Sequence, residues 1–189
     1  MNRRVTGVFL ALALLSAGCR SSPRVATVMP GAEGEIAMLT LTSTAFKENE
    51  TIAKKYTCDA ADTSPDLQWS NLPSGIESLA LITDDPDAPG RTWVHWVLYN
   101  IPADRVGLPE GVSKTPTVEG IGVQGKNDFG KTGYNGPCPP KGKPHRYFFK
   151  LYALDSSLNL KPGATKADVE KAMRGHILAQ GQLVGQYGR

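Results

Sequence analysis

Asp85-Pro86-Asp87-Ala88-Pro89 sets two carboxylates two residues apart, with prolines fixing φ between and after them. A turn stiffened in this way loses little entropy when it holds a ligand. Trp93-Val94-His95-Trp96 follows directly and brings one of only three histidines in the chain. Carboxylates beside an imidazole can exchange protons, bind a metal, or orient the ring toward an anion. An isolated Asp-Pro-Asp is more often a stiff turn bonded to its own backbone, and an isolated histidine is more often a satisfied core residue. The weight therefore falls on a second cluster.

That cluster is the glycine-dense stretch 120–140, which ends in Gly136-Pro137-Cys138-Pro139-Pro140 and leads into His145-Arg146-Tyr147. A loop of this length without regular structure is uncommon in a compact domain unless it has a task. Its glycines would let successive backbone N–H groups converge on an anion. A plain surface excursion is the alternative, since neither a Walker nor a dinucleotide pattern is present.

The elements that must position these residues read as short strands. Apolar runs at 37–44, 67–69 and 78–83 are separated by Asn71-Leu72-Pro73-Ser74-Gly75, the acidic turn and Leu108-Pro109-Glu110-Gly111. In the run beginning at Trp93, strict alternation puts Trp93, His95, Val97 and Tyr99 on one face and Val94, Trp96 and Leu98 on the other. Both faces are apolar, which predicts a central strand covered on both sides. A second such strand starts at His145, with His145, Tyr147, Phe149 and Leu151 sharing a face. Thr165 and Asp168 form a capping box for one helix carrying Val169, Ala172 and Met173, and Gly175 ends it. A closing strand follows from Ile177 to Tyr187. The expectation is a mainly β protein, an antiparallel β sandwich with a few short helices, including one near the C-terminus.

Taken together, Asp85-Pro86-Asp87-Ala88-Pro89, His95-Trp96, Asn100-Ile101-Pro102, Gly133-Tyr134-Asn135-Gly136-Pro137-Cys138-Pro139-Pro140 and His145-Arg146-Tyr147 resemble the signature regions of the phosphatidylethanolamine-binding protein family. Lys55-Tyr56-Thr57-Cys58-Asp59, Asn127-Asp128-Phe129-Gly130 and Tyr152-Ala153-Leu154-Asp155 resemble its bacterial, Raf-kinase-inhibitor-like branch. The resemblance spans about residues 39–187. It implies a β sandwich whose small pocket accepts phosphate, phosphoethanolamine or a carboxylate. Asp85, Asp87, Trp93, His95, His145 and Tyr147 would line that pocket, with the turn from Gly136 and Pro137 to Pro139 as a wall. The eukaryotic signature has Ser and Gly where Pro137 and Cys138 stand here, so contacts at those two positions must differ.

The chain has 189 residues, 40% hydrophobic and 21% charged, which suits one filled core. Its formal charge of +3 includes Arg3 and Arg4; without residues 1–18, 19 basic residues face 18 acidic ones. No basic footprint for nucleic acid is present. Arg3 and Arg4, the apolar run 5–15 and Ser16-Ala17-Gly18 read as a signal peptide over 1–18, too short for a span of ~20 residues. Leu15-Ser16-Ala17-Gly18-Cys19 resembles a bacterial lipobox, which makes Cys19 the lipid-bearing residue. Residues 19–35 are then a tether rich in Ser, Pro, Gly and Ala, and 36–189 the domain. This places the protein in a bacterial cell envelope, at the periplasmic face of the outer membrane by the sorting logic of Arg20; secretion or a soluble periplasmic form is the alternative. Cys58 and Cys138 remain, in a compartment where disulfides persist. They are read as a bonded pair or as two separate buried thiols.

The leading functional reading is a binding module without catalytic residues, cofactor or metal, holding a small anion or phospholipid head group and acting on a protein partner that the sequence does not name. A hydrolase using His95, His145 and Asp85, with or without a metal, is the enzymatic alternative. A structural envelope lipoprotein is the third. The capped helix and the closing strand complete the core or form a homodimer surface.

Overall fold

The computed structural model describes Met1 and residues 36–189. The expected signal peptide, Cys19 and the tether lie outside the described residues. The strands are β1 (Ala37–Met38), β2 (Thr40–Thr42), β3 (Leu67–Ser70), β4 (Ser78–Asp85), β5 (Trp93–Pro102), β6 (Gly107–Leu108), β7 (Thr117–Val118), β8 (Gly122–Gln124), β9 (His145–Leu154) and β10 (Ile177–Tyr187). One α-helix, α1 (Lys166–Met173), precedes the last strand, and a 3₁₀ turn covers Lys54–Tyr56. A seven-stranded sheet in the order β1-β10-β9-β4-β5-β8-β7 faces a three-stranded sheet in the order β2-β3-β6. All pairings are antiparallel except that of β1 with β10. The expected sandwich is the observed one.

Between the sheets, Leu41, Leu67, Trp69 and Leu108 of the small sheet pack against Leu79, Leu81, Trp96, Leu98, Phe149 and Leu151 of the large one. The opposite face of the large sheet is covered by Val169 and Met173 of α1, which meet Ala80, Ile82, Val94, Val97 and Tyr99. β4 is thus covered on both sides and all eight of its residues are buried. The helix begins as its sequence requires: Thr165 accepts from the Asp168 N–H while the Asp168 carboxylate accepts from the Thr165 N–H, a reciprocal capping box.

β5 departs from simple alternation. Thr83 pairs with Trp96 and Asp84 with Val94, which leaves His95 as an extra residue on β5. Such a bulge breaks the two-residue period and re-aims the side chain beside it. His95 and Trp96 therefore both face the interior between the sheets, whereas Val94, Val97 and Tyr99 lie on the α1 side. The single face expected for Trp93, His95, Val97 and Tyr99 is corrected accordingly. A second bulge sets Tyr99 and Asn100 opposite Ala80. Asn100 takes φ 52° there, and its side chain bonds both the N–H and the C=O of Leu158.

The adjacent carboxylates at the end of β4 point to opposite faces, as a pleated strand demands. Asp84, wholly buried, meets Lys150 Nζ of β9 at 2.8 Å and Lys166 of α1, tying the helix to the sheet. Asp85 faces the other way.

Candidate functional site

Where β4, β5 and β9 end together, a cavity of about 210 Å³ opens to the surface. Asp85, Ala88 and Pro89 of the acidic turn, Trp93 and His95 of β5, Phe129, Cys138, Pro139 and Pro140 of the glycine-rich loop, and His145 of β9 line it. Drug-sized ligands occupy roughly 300–1,000 Å³. This space fits a head group and not a whole lipid.

Register explains how residues far apart in the chain meet. β9 pairs with β4 through Asp84↔Phe148 and Thr83↔Phe149, which brings the first residue of β9 beside the last of β4. His145 Nδ1 lies 2.7 Å from Asp85 Oδ2, and Asp85 Oδ1 accepts from the Asp87 N–H at 2.8 Å. Both oxygens of this carboxylate, 2% exposed, are thereby engaged. His95 Nδ1 lies 2.7 Å from the Asn135 carbonyl, so that nitrogen carries the hydrogen. Among the described residues no well-formed hydrogen bond engages His95 Nε2 or His145 Nε2. Two imidazole edges are left to the cavity.

Burial pushes the His95 pKa down; the Asn135 carbonyl, the Asp85 charge and the Gly136 backbone oppose it without prevailing. The Tyr147 phenol is pushed up, first by burial and then by the Asp85 charge. Its ring stands edge-on to His95 at 5.2 Å and 85°, one layer beneath the cavity wall. Three buried side-chain polar atoms among the described residues lack partners: Thr83 Oγ1, Trp93 Nε1 and Tyr147 Oη. The Tyr147 hydroxyl approaches Asp85 closely enough for both its charge and a weak side-chain contact to raise the phenol pKa, short of a well-formed hydrogen bond. Native proteins rarely leave such atoms unsatisfied, and those that do so cluster where a role calls for it.

Of the residues singled out from sequence, Asp85, Trp93, His95 and His145 come together on the wall. The others stand behind or beside it. Asp87 turns outward and receives Arg146 through Nε at 2.9 Å and Nη2 at 2.8 Å, which draws its pKa down to about 2. Gly136 sits against the Tyr56 carbonyl, where an added Cβ would lie 2.0 Å from that oxygen. The Pro137 carbonyl accepts from the Cys58 N–H at 3.1 Å. Cys58 and Cys138 are bonded, with Cα atoms 5.4 Å apart, and the bond anchors the proline wall to the turn after Tyr56.

Four N–H groups of the glycine-rich loop are engaged within the protein. The N–H groups of Phe129 and Lys131 donate to Asn127 Oδ1, that of Asn135 to the His95 carbonyl, and that of Gly136 to Asp62 Oδ1. The two bonds to Asn127 close within four residues, and those of Asn135 and Gly136 tie the loop to β5 and to Asp62. They also position Phe129, whose ring meets Trp93 at 5.5 Å and His95 at 5.3 Å. Sequence reasoning missed Phe129 as a wall residue, and missed Asp62, Asn127 and Asn135 as its supports; an aromatic residue left 37% exposed in a polar loop is the kind of signal that marks such a place. Among the described residues, no three His, Cys, Asp or Glu side chains converge as metal ligands do.

Fold and site together define a two-sheet sandwich with a small imidazole-lined cavity at one end. The sequence profile of the phosphatidylethanolamine-binding protein family matches residues 42–188, and the chain belongs to that family. A UPF0098 protein of Methanothermobacter thermautotrophicus is 51% identical over 151 residues, covering 80% of this chain and 99% of the relative. One from Aquifex aeolicus is 52% identical over 155 residues, covering 81% and 90%. Among solved structures, Escherichia coli YbcL, described as a member of the mammalian PEBP family, gives a TM-score of 0.75 at 36% identity over 81% of this chain and 99% of its own. A phosphatidylethanolamine-binding protein homolog from Chlamydia trachomatis gives 0.73 at 40% identity, over 80% and 98%.

Proposed function

We propose that this protein is a non-catalytic receptor for a small oxyanion, phosphate or the phosphoethanolamine head group. The observation that carries the reading is the pair of unpartnered imidazole Nε2 atoms facing one small cavity beside the buried Asp85 carboxylate. Asp85 holds His145 by Nδ1, which fixes the ring with Nε2 turned to where a phosphate oxygen would sit. The apolar remainder of the wall, Trp93, Phe129 and Pro140, shields that position from water. Asp87 stiffens the acidic turn through Arg146 and stands outside the binding set.

We further propose that residues 1–18 are an export signal and that Cys19 carries the lipid. The tether 19–35 then holds the domain 36–189 at a bacterial envelope membrane, within reach of head groups or of soluble phosphoesters. The motifs 55–59, 127–130 and 152–155 favour the Raf-kinase-inhibitor-like branch, whose members would present the loaded surface to a protein partner.

Isothermal titration of the full chain with phosphate and O-phosphoethanolamine tests the binding. Saturable 1:1 heat that disappears in His145→Ala is expected. No heat with either ligand at millimolar concentration would reject the receptor. Intact-mass analysis of membrane-extracted protein tests the anchor, a diacylglyceryl adduct on Cys19 being the expected result.

A further inference from the structure

We infer that the cavity selects oxyanions that still carry a proton, taking phosphate and rejecting sulfate, because His95 is locked with a hydrogen-bond acceptor toward the ligand. The inference rests on the reading of this cavity as an anion site and narrows it to phosphate and phosphomonoesters such as free phosphoethanolamine, the diester of an intact phospholipid having no proton to give.

A carbonyl oxygen cannot donate, so the 2.7 Å bond from His95 Nδ1 to Asn135 O places a hydrogen on Nδ1 in both charge states of the ring. That carbonyl cannot swing away. The Asn135 N–H donates back to the His95 carbonyl at 3.1 Å, Asn135 Nδ2 donates to Asp62 Oδ2 at 2.9 Å, and Asn135 Oδ1 accepts from Asn127 Nδ2 at 2.9 Å. The ring is also wedged edge-on between Tyr147 and Phe129. Neutral His95 therefore turns the bare lone pair of Nε2 to the cavity.

The groups around His95 decide whether it stays neutral. Asp85 of β4 reaches it across the cavity but is already paired with His145 of β9, and Asp62 sits behind Asn135. Tyr147 of β9 is held protonated by burial, and Arg91 lies over the Trp93 ring. The Asn135 and Gly136 backbone and the two carboxylates favour a proton on His95, but burial of a residue only 2% exposed outweighs them.

His145 is fixed by a different acceptor: the Asp85 carboxylate holds its Nδ1 at 2.7 Å and leaves Nε2 to the cavity. The acceptor set by His95 is the selective element. Phosphate at neutral pH keeps at least one O–H beside its charged oxygens and satisfies it. Sulfate has no proton to give, and its oxygen would face the His95 lone pair. A site built to accept a ligand's O–H discriminates strongly against an analogue that lacks it, because a buried acceptor is left unpaired.

Titration calorimetry of the full chain at pH 7, with inorganic phosphate and with sulfate at matched ionic strength, tests this. Phosphate is expected to bind about tenfold or more tightly. Sulfate binding within threefold of phosphate would overturn the selectivity while leaving the anion site standing; binding of neither would overturn the anion site itself and the selectivity with it. In His95→Gln, whose amide can donate, the phosphate-to-sulfate ratio should fall toward one, and an unchanged ratio would count against His95 as the selector. Long-range ¹H–¹⁵N NMR of the free wild-type chain provides a second readout independent of any variant: a His95 Nδ1–H tautomer with unprotonated Nε2 is required, and the Nε2–H tautomer overturns the proposal.

Discussion

Replacing Asp85 by Asn probes how the cavity sustains charge. In the native site Asp85 Oδ2 accepts from His145 Nδ1 at 2.7 Å and Oδ1 from the Asp87 N–H at 2.8 Å, with 2% of the residue exposed. Asn keeps the shape and one acceptor for Asp87 but removes the charge opposite His145. Hydrogen bonds to charged groups contribute about 1.5–3 kcal/mol and neutral ones about 0.5–1.5. The bond that orients His145 therefore weakens by about 1–1.5 kcal/mol, which converts to roughly tenfold weaker phosphate binding. Asp85→Ala goes further and leaves the Asp87 N–H and His145 Nδ1 without partners. At about 1–3 kcal/mol for each buried group left unsatisfied, the alanine variant should also lose folding stability, and the asparagine variant much less. Calorimetric titration with phosphate at pH 7, paired with urea unfolding of the same samples, separates the two effects. Asp85→Asn binding phosphate within twofold of wild type would refute the view that this carboxylate orients His145 for the anion.

Three other perturbations test the scaffold. Cys58→Ser with Cys138→Ser opens a link of sequence separation 80, for which loop entropy alone suggests about 4–5 kcal/mol and engineered cases about 2–4; a urea-unfolding loss under 1 kcal/mol would contradict it. Gly136→Ala drives a Cβ to 2.0 Å from the Tyr56 carbonyl, which also accepts from the Tyr134 hydroxyl at 2.7 Å, so overpacking should cost about 1–3 kcal/mol and lower Tm; an unchanged Tm would deny the close approach. Because burial lowers the folded pKa of His95 below its usual 6.5, the unfolded chain binds the extra proton first, and the stability His95 contributes is present above pH 6.5 and lost as pH falls through its folded pKa. Unfolding free energy should thus fall more steeply between pH 7.5 and 5.5 in wild type than in His95→Gln. Identical slopes would show that His95 is not buried neutral.

Much of the architecture was legible because local pattern and final burial agree. The run from His145 alternates cleanly, and Tyr147, Phe149 and Leu151 do face the interior together. Thr165 and Asp168 announce the helix through bonds that close within three residues. The acidic turn and His95 were visible as chemistry in search of partners, and motif resemblance supplied His145. Asp87 stands apart from Asp85 for a local reason: both share the Asp-Pro-Asp pattern, yet only Asp85 lies within a strand, whereas Asp87 lies beyond its end and pairs with Arg146.

What the sequence determined by itself is the set of elements and the residue types that can bind an anion, since these follow from periods of two and of three to four and from side-chain chemistry. The tertiary structure alone decided which nitrogen of each histidine is left to the cavity. The bond from His95 to Asn135 spans 40 residues and that from His145 to Asp85 spans 60. The bulge that turns His95 inward exists only once β5 is in register with β4. Hydrogen-bond polarity in the cavity is therefore a property of strand register and loop closure, which bring together groups that no local pattern relates.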